Sequence, residues 1–194
     1  MLSDKLLSSS LHFSADLGPD LFMWGRGVSG VLGLGDTENR SSPVQLAGTW
    51  TFLSSAVGTT HIAGLKPDGS LFVWGEGSSG CLGLGDNEIN RSSPVQLAGT
   101  WIAVTTGGSR TFGIRTDGSL WGWGLNSTGK LGVGNTVLRS SPTQIAGTWL
   151  AVAAWQDTSM GIKSDGSLWT WGITTEGLWA ILRALFLRPL LLCR

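Results

Sequence analysis

Short apolar runs alternate with glycine-rich and polar turns along nearly the whole chain, and this alternation is itself repeated. A Trp-Gly pair closes one apolar run in every unit, and its tryptophans are Trp24, Trp74, Trp123 and Trp171. The units are therefore about 50 residues long, and self-similarity at a fixed period indicates a repeat architecture. Residues that recur are those a scaffold needs, so functional candidates are sought among the residues that differ between units.

Each unit contains segments with distinct structural preferences. Residues 70–74 combine β-branched, aromatic and aliphatic side chains, which favours a buried strand. Asp68-Gly69 precedes this segment and predicts a tight hairpin turn, because glycine accepts a positive φ. Residues 92–97 begin Ser-Ser-Pro, and because proline donates no ladder hydrogen bond, a strand near a sheet edge is predicted there. Equivalent turns stand at Asp117-Gly118 and Asp165-Gly166, and equivalent edge strands at 41–46 and 140–145.

A glycine-rich segment follows the predicted buried strand and matches G-x-G-x-x-G at Gly75, Gly77 and Gly80. A dinucleotide-binding fingerprint requires a helix directly after these glycines, so that the pyrophosphate meets the helix N-terminus. Further glycines follow here instead, and the match recurs at the repeat period. The sequence therefore favours a tight structural loop over a nucleotide site, and no cofactor is predicted.

The segments add up to about four short antiparallel strands per unit, which is typical of a β-propeller blade. We expect an all-β, incomplete propeller of about three to three and a half blades arranged as an open arc. Residues 1–14 are interpreted as an N-terminal extension, residues 15–177 as the propeller repeats, and residues 178–194 as a leucine-rich tail outside the repeat pattern.

The chain has eleven tryptophans and no tyrosine. Most of the tryptophans recur at equivalent positions, which predicts packing between neighbouring blades, where a large flat side chain fills the gap between two sheets. Trp155 and Trp179 fall outside the period. These two are therefore the better candidates for contact with a ligand or partner.

Three polar residues occupy corresponding or adjacent places in successive units: His61, Arg110 and Asp157. One interpretation is a polar constellation on one face of the propeller, and the other is three independent solvated or capping side chains. Catalysis would require hydrogen-bond geometry among them. The sequence carries no recognised catalytic motif, so an enzyme is not predicted.

Thirteen basic and thirteen acidic residues cancel, and no basic cluster suggests a nucleic-acid partner. Single arginines precede each Ser-Ser-Pro, and we expect them to pair with a nearby carboxylate or carbonyl; they are Arg40, Arg91 and Arg139. The two cysteines, Cys81 and Cys193, have neither zinc-ligand spacing nor a disulfide pattern. No metal site is predicted.

The ends of the chain leave alternatives open. The N-terminal residues do not form a clear signal peptide, so the compartment is unknown and the cytoplasm is the default. The tail suggests a helix over about 178–187, whereas a membrane anchor would need about 20 uncharged residues. A third hypothesis is a frameshift near Gly177, because residues 178–182 read from a shifted frame restore Leu-Gly-Asp-Thr, as at 34–37.

Residues 117–134 read Asp-Gly-Ser-Leu-Trp-Gly-Trp-Gly-Leu-Asn-Ser-Thr-Gly-Lys-Leu-Gly-Val-Gly. This segment resembles the regulator of chromosome condensation repeat family, and the resemblance extends over roughly 15–177. The resemblance implies a propeller of about seven blades, more than this chain can form. Members of the family range from an exchange factor for a nuclear GTPase, through ultraviolet photoreceptors, to secreted β-lactamase inhibitors. The face-loop residues of the exchange factors have no assignable counterparts here, so none is carried over.

The sequence thus favours a non-enzymatic scaffold that binds an unidentified protein through its loops, as a segment of a larger repeat protein. The alternative is a regulatory partner of an enzyme, either a guanine nucleotide exchange factor or a secreted enzyme inhibitor. Neither a nucleic-acid nor a membrane partner is expected. The candidate partner-binding residues are His61, Arg110, Asp157 and Trp155. Exposed terminal blades also predict self-association.

Overall fold

A computed structural model describes residues 20–55 and 60–173, which form twelve β-strands and two three-residue 3-10 turns. The strands are β1 Leu21–Gly25, β2 Arg40–Leu46, β3 Phe52–Ser54, β4 His61–Leu65, β5 Leu71–Gly75, β6 Arg91–Leu97, β7 Trp101–Thr106, β8 Arg110–Arg115, β9 Ser119–Gly124, β10 Arg139–Trp155, β11 Thr158–Lys163 and β12 Leu168–Gly172. The 3-10 turns are Val28–Gly30 and Ser78–Gly80. Within these ranges no helix is long and apolar enough to cross a membrane.

Antiparallel pairing groups the strands into four blades. Blade 1 contains β1 and β2, and blade 2 contains β3 to β6. Blade 3 contains β7 to β9 and residues 139–148 of β10, whereas blade 4 contains residues 149–155 of β10 with β11 and β12. Blades 2 and 3 therefore have the four strands that the sequence predicted, and the fold is an incomplete β-propeller. The predicted N-terminal extension and C-terminal helix lie outside the described residues.

The turns and edges follow the sequence pattern. Gly69 adopts a φ of 80° in the first Asp-Gly turn, where the backbone N–H of Ser70 donates to Asp68 Oδ1 over 2.9 Å. The strand that begins near Ser-Ser-Pro, β6, lies at the edge of blade 2. Both predictions are confirmed.

The glycine-rich segment after the third strand of a blade folds onto the next blade. Only a 3-10 turn forms in it, so the prediction of a structural loop is confirmed. Val31, in the loop of blade 1, accepts a hydrogen bond of 3.0 Å from Nε1 of Trp74 in blade 2. Gly33 lies so close to the same ring that a Cβ there would be 2.8 Å from Nε1. Glycine is therefore required for this contact.

The hydrophobic core of the described residues is divided into three clusters, one at each junction between neighbouring blades. At junction 2/3, Leu65, Leu71 and Val73 of blade 2 pack with Trp101 and Trp123 of blade 3. Trp74 and Trp123 are both 0% exposed. The predicted role of the periodic tryptophans in packing between blades is confirmed for Trp50, Trp74, Trp101, Trp123 and Trp149, whereas Trp24 and Trp169 are 60% and 50% exposed.

Candidate protein-binding surface

His61 begins β4 and lies at junction 2/3. Its side chain is 1% exposed, and Nε2 is 2.9 Å from Oγ1 of Thr111 in blade 3. The Thr111 hydroxyl donates in turn to the carbonyl oxygen of Cys81 over 2.8 Å. Burial lowers the pKa of His61 to about 4, because the charged imidazolium would lose its hydration. His61 is therefore a neutral residue of the junction.

Arg110 occupies the equivalent position in blade 3, since His61 pairs with Gly75 and Arg110 pairs with Gly124. Arg110 is 0% exposed, and burial lowers its pKa to about 10, which leaves it charged at neutral pH. Its guanidinium and Nε donate to the carbonyl oxygens of Trp155 (2.6 Å), Thr158 (2.8 Å), Gly107 (3.0 Å) and Gln156 and to Ser159 Oγ (3.3 Å). Arg110 thus fixes the turn between β10 and β11.

Asp157 lies in that turn and is exposed. Its Oδ1 is 2.5 Å from Nζ of Lys130, a residue in the loop of blade 3. The hydrogen bond from Lys130 is the main reason that the pKa of Asp157 lies below its usual value. The turn of blade 4 is consequently held from one side by Arg110 and from the other by Lys130.

Trp155 ends β10 with its side chain 55% exposed. The neighbouring turn of blade 3 contains Gly107 and Gly108, and a Cβ on Gly108 would be 3.3 Å from the carbonyl oxygen of Gln156. Gly107 is packed so tightly that a Cβ there would be 2.5 Å from Cβ of Ala154. The turn surface, as we name it, consists of Gly107, Gly108, Ser109, Trp155, Gln156 and Asp157.

The structure brings three of the four predicted residues together. Arg110, Trp155 and Asp157 meet at one end of junction 3/4, while His61 lies at junction 2/3. The second interpretation was a solvated or capping side chain. Solvation is wrong for His61 and Arg110, because both are buried, but Arg110 does cap backbone carbonyls. Partner binding by these residues stays a prediction. Among the four, Trp155 and Asp157 have the exposed side-chain surface to contact a partner directly.

The predicted pairing of the three loop arginines is confirmed. Arg40 binds Asp36 over 2.5 Å and Arg91 binds Asp86 over 2.6 Å. Arg139 donates to the amide oxygen of Asn135 over 3.3 Å.

The profile of the Regulator of chromosome condensation (RCC1) repeat matches residues 20–65, 68–114 and 117–160, and a second profile of the same repeat matches 101–130. The chain belongs to the RCC1 repeat family. Each of the three matches of the first profile starts near the third strand of one blade and reaches the second strand of the next blade. The RCC1 repeat is therefore out of phase with the blade by two strands.

Solved structures show the same fold. Human WBSCR16 is 20% identical with a TM-score of 0.70, and the match covers 79% of this chain and 43% of that chain. Yeast RCC1 (Prp20), in a structure with Kap60, is 21% identical with a TM-score of 0.67, covering 78% and 39%. Prp20p from Saccharomyces cerevisiae, described together with its binding properties to Gsp1p and histones, is 19% identical with a TM-score of 0.66, covering 81% and 42%.

The chain thus spans about two fifths of the length of these relatives. No curated protein matches the sequence significantly.

One repeated feature of these RCC1 repeats was not predicted from the sequence. A cation at the end of each second strand stacks over an aromatic ring of the third strand: Lys66 over Phe72 (4.5 Å), Arg115 over Trp121 (4.1 Å) and Lys163 over Trp169 (3.8 Å). The signal was present, because a basic residue stands two positions before each of these Asp-Gly turns. Such contacts contribute about 0.5–1 kcal/mol each where they are exposed.

Proposed function

We propose that this chain is a non-enzymatic scaffold that binds another protein through the turn surface, with Trp155 as the main contact. The observation that carries the proposal is an exposed indole on a turn whose backbone is held by a buried guanidinium. Tryptophan is enriched among the residues that dominate binding energy at protein interfaces. Loops on a rigid scaffold are also where binding residues concentrate.

The contacts around the turn support this role physically. Arg110 holds the carbonyls of Trp155 and Thr158, and Lys130 holds the carboxylate of Asp157. A turn that is already ordered loses little conformational freedom when a partner binds, and this raises affinity. The hydrogen bonds therefore prepare the backbone beneath Trp155 for contact.

A non-catalytic role is supported by the state of the candidate polar residues. His61 is buried and its pKa is about 4, so at neutral pH it is the uncharged imidazole and not the imidazolium that would serve as a general acid. Arg110 uses its donors on backbone carbonyls and Ser159. These two residues are thus committed to junctions between blades.

The test is affinity capture with the immobilised chain, followed by binding measurements on each purified partner. We expect Trp155→Ala to weaken the relevant partner at least about tenfold. The matched control is Leu150→Ala, because Leu150 lies on the same strand and is also exposed. A partner that binds both variants and the unchanged chain equally well would contradict the proposal.

A regulatory role is the alternative proposal, as an exchange factor for a GTPase or as a secreted enzyme inhibitor. It is motivated by the fold shared with Prp20p, whose structure is described with its binding properties to Gsp1p. Capture of a GTPase whose bound nucleotide is released faster on addition of this chain would support the exchange role. Loss of a captured enzyme's activity would support inhibition.

A further inference from the structure

The four signature tryptophans are equivalent in sequence but not in environment. Trp74 and Trp123 are fully buried and Trp171 is partly buried, whereas Trp24 in blade 1 is 60% exposed. Trp24 therefore lacks most of the packing contacts that bury the equivalent tryptophans.

The cover of the other three tryptophans comes from the glycine loop of the preceding blade. Gly33 lies against Trp74, Gly83 against Trp123 and Gly132 against Trp171, so closely that a Cβ would be 2.8, 2.7 and 2.8 Å from the indole Nε1. The φ values of these glycines are 71°, 72° and 72°, in the left-handed region. Both the closeness and the backbone conformation therefore require glycine.

The loop also supplies a hydrogen-bond acceptor for two of the three indoles. Trp171 Nε1 donates to the carbonyl oxygen of Lys130 over 3.0 Å, as Trp74 Nε1 does to Val31, whereas Nε1 of Trp123 has no hydrogen-bond partner among the described residues. A surface that covers Trp24 in the same way must present a glycine in this conformation, and the carbonyl two residues before that glycine can accept the Nε1 hydrogen bond. These features describe the loop of another propeller repeat.

The sequence of a second copy lacks the glycine of such a loop after Trp171. Ala180 stands nine residues after Trp171, in the place that Gly132 holds nine residues after Trp123. Residues 178–182 read Leu-Trp-Ala-Ile-Leu where 130–134 read Lys-Leu-Gly-Val-Gly. An alanine there would meet both the steric contact and the positive φ that glycine avoids.

The outer face of blade 4, at the opposite end of the described blades, also argues against a second copy as the partner. Ile162 and Leu168 of blade 4 are 40% and 39% exposed, while their equivalents in blade 3, Ile114 and Leu120, are buried in one cluster with Trp149 of the next blade. Blade 1 consists of third and fourth strands, and a tryptophan equivalent to Trp149 would belong to a first strand. The described part of a second copy thus lacks the tryptophan that would cover Ile162 and Leu168.

We propose that the face of blade 1 around Trp24 is a docking site for a propeller repeat of another polypeptide, one with an intact Gly-x-Leu-Gly loop. The partner repeat places the second glycine of this loop over the Trp24 indole and accepts the Nε1 hydrogen bond. This site lies in blade 1, away from the turn surface, and its existence does not depend on binding at Trp155.

A directional mixing experiment tests the proposal. The donor is this chain with Leu178→Lys, Trp179→Leu, Ala180→Gly, Ile181→Val and Leu182→Gly, which restores the loop, together with Trp24→Ala, which prevents the donor from binding itself. The acceptor is the unchanged chain. Sedimentation velocity is expected to show a one-to-one complex on mixing and no complex in either protein alone.

Three controls define the contact. An acceptor with Trp24→Ala is expected not to bind, whereas an acceptor with Trp155→Ala, which loses a comparably exposed indole, binds as the unchanged chain does. A donor that keeps Ala180 is expected not to bind. In an acceptor labelled with 5-fluorotryptophan, donor addition should shift the fluorine resonance of Trp24, which Trp24→Phe assigns.

Two results would overturn the proposal. One is equal binding of the donor to the unchanged acceptor and to the Trp24→Ala acceptor. The other is a dimer of the unchanged chain that Trp24→Ala abolishes, which would make a second copy the occupant. If the donor does not fold, a tandem chain with the restored loop upstream of an unchanged unit replaces it. An unshifted Trp24 resonance in that tandem chain would likewise reject the docking site.

Discussion

Junctions 2/3 and 3/4 are built on the same plan but are closed by different polar residues. In both, an indole of one blade lies under a glycine of the preceding blade's loop. The first residue of the second strand differs: His61 contacts the side chain of Thr111 across junction 2/3, whereas Arg110 contacts Ser159 Oγ and also the backbone carbonyls of Trp155, Gln156 and Thr158 across junction 3/4. Equivalent positions in a repeat therefore need not carry equivalent chemistry.

The difference has two consequences. The imidazole of His61 is neutral and can gain a proton as the pH falls, whereas the guanidinium of Arg110 stays charged across the physiological range. Arg110 also orders a neighbouring turn, because its donors reach the carbonyls of Trp155 and Thr158. Junction 2/3 is thus the pH-sensitive one, and junction 3/4 is the one that presents a fixed turn.

The largest expected effect concerns what the two junctions share. Trp123→Ala removes a fully buried indole at junction 2/3 and should cost about 3–5 kcal/mol of unfolding free energy. Urea denaturation followed by circular dichroism measures the loss. A loss below about 1 kcal/mol would show that the loop-covered tryptophans do not hold the blades together.

Arg110→Met comes next and acts at junction 3/4. The change leaves the carbonyls that Arg110 held without its charged donors, and we expect a cost of about 3 kcal/mol. Hydrogen exchange of the amides at 155–158 should accelerate more than at His61. Arg110→Lys should recover little of the loss, because an ammonium group cannot reproduce the planar fork. Full recovery by lysine would show that charge alone matters there.

The pH dependence of stability distinguishes the junctions directly. The folded-state pKa of His61, about 4, lies below the unfolded value of about 6.5, so the unfolded chain binds this proton first. The stability that neutral His61 contributes is therefore complete above pH 6.5 and is lost as the pH falls toward 4, with about 2 kcal/mol lost between pH 7 and pH 5.

His61→Gln, which cannot titrate, should flatten the stability curve in this range. An unchanged slope in this variant would assign the acid sensitivity to other groups.

The smallest effect is expected at Arg91, a cation outside the junction cores. Its ion pair with Asp86 is partly solvated, so Arg91→Ala should change the unfolding free energy by about 0–1 kcal/mol. The same urea titration provides the measurement. A loss as large as that of Arg110→Met would contradict the view that burial, and not charge, separates the two arginines.

Much of the fold was predictable because the information is local or periodic. The Asp-Gly pairs predict tight turns from two adjacent residues alone, and the spacing of Trp74 and Trp123 gives the repeat length. Ser-Ser-Pro marked the edge strand because proline lacks the donor that an inner strand needs. The length of β10 was harder to predict. Gly147-Thr148-Trp149 is typical of a break between two strands, although β10 continues through it.

The candidate surface was only partly predictable. Trp155 stood out because it falls outside the tryptophan period, and it is indeed exposed. The burial of His61 and Arg110 depends on groups about 50 residues away in the neighbouring blade, which periodicity alone does not reveal. The sequence showed that these two positions correspond, whereas the partners that make them different arise only from the packing of blades.

The two-strand offset between sequence repeat and blade bears on how such a chain grows. A duplicated segment equivalent to residues 68–114 carries the last two strands of one sheet and the first two of the next. Duplication of such a segment copies the junction between two neighbouring sheets and not one complete sheet. The residues that pack across that junction are therefore copied together. Lengthening the protein by whole units leaves its internal junctions intact and changes only how far the arc extends.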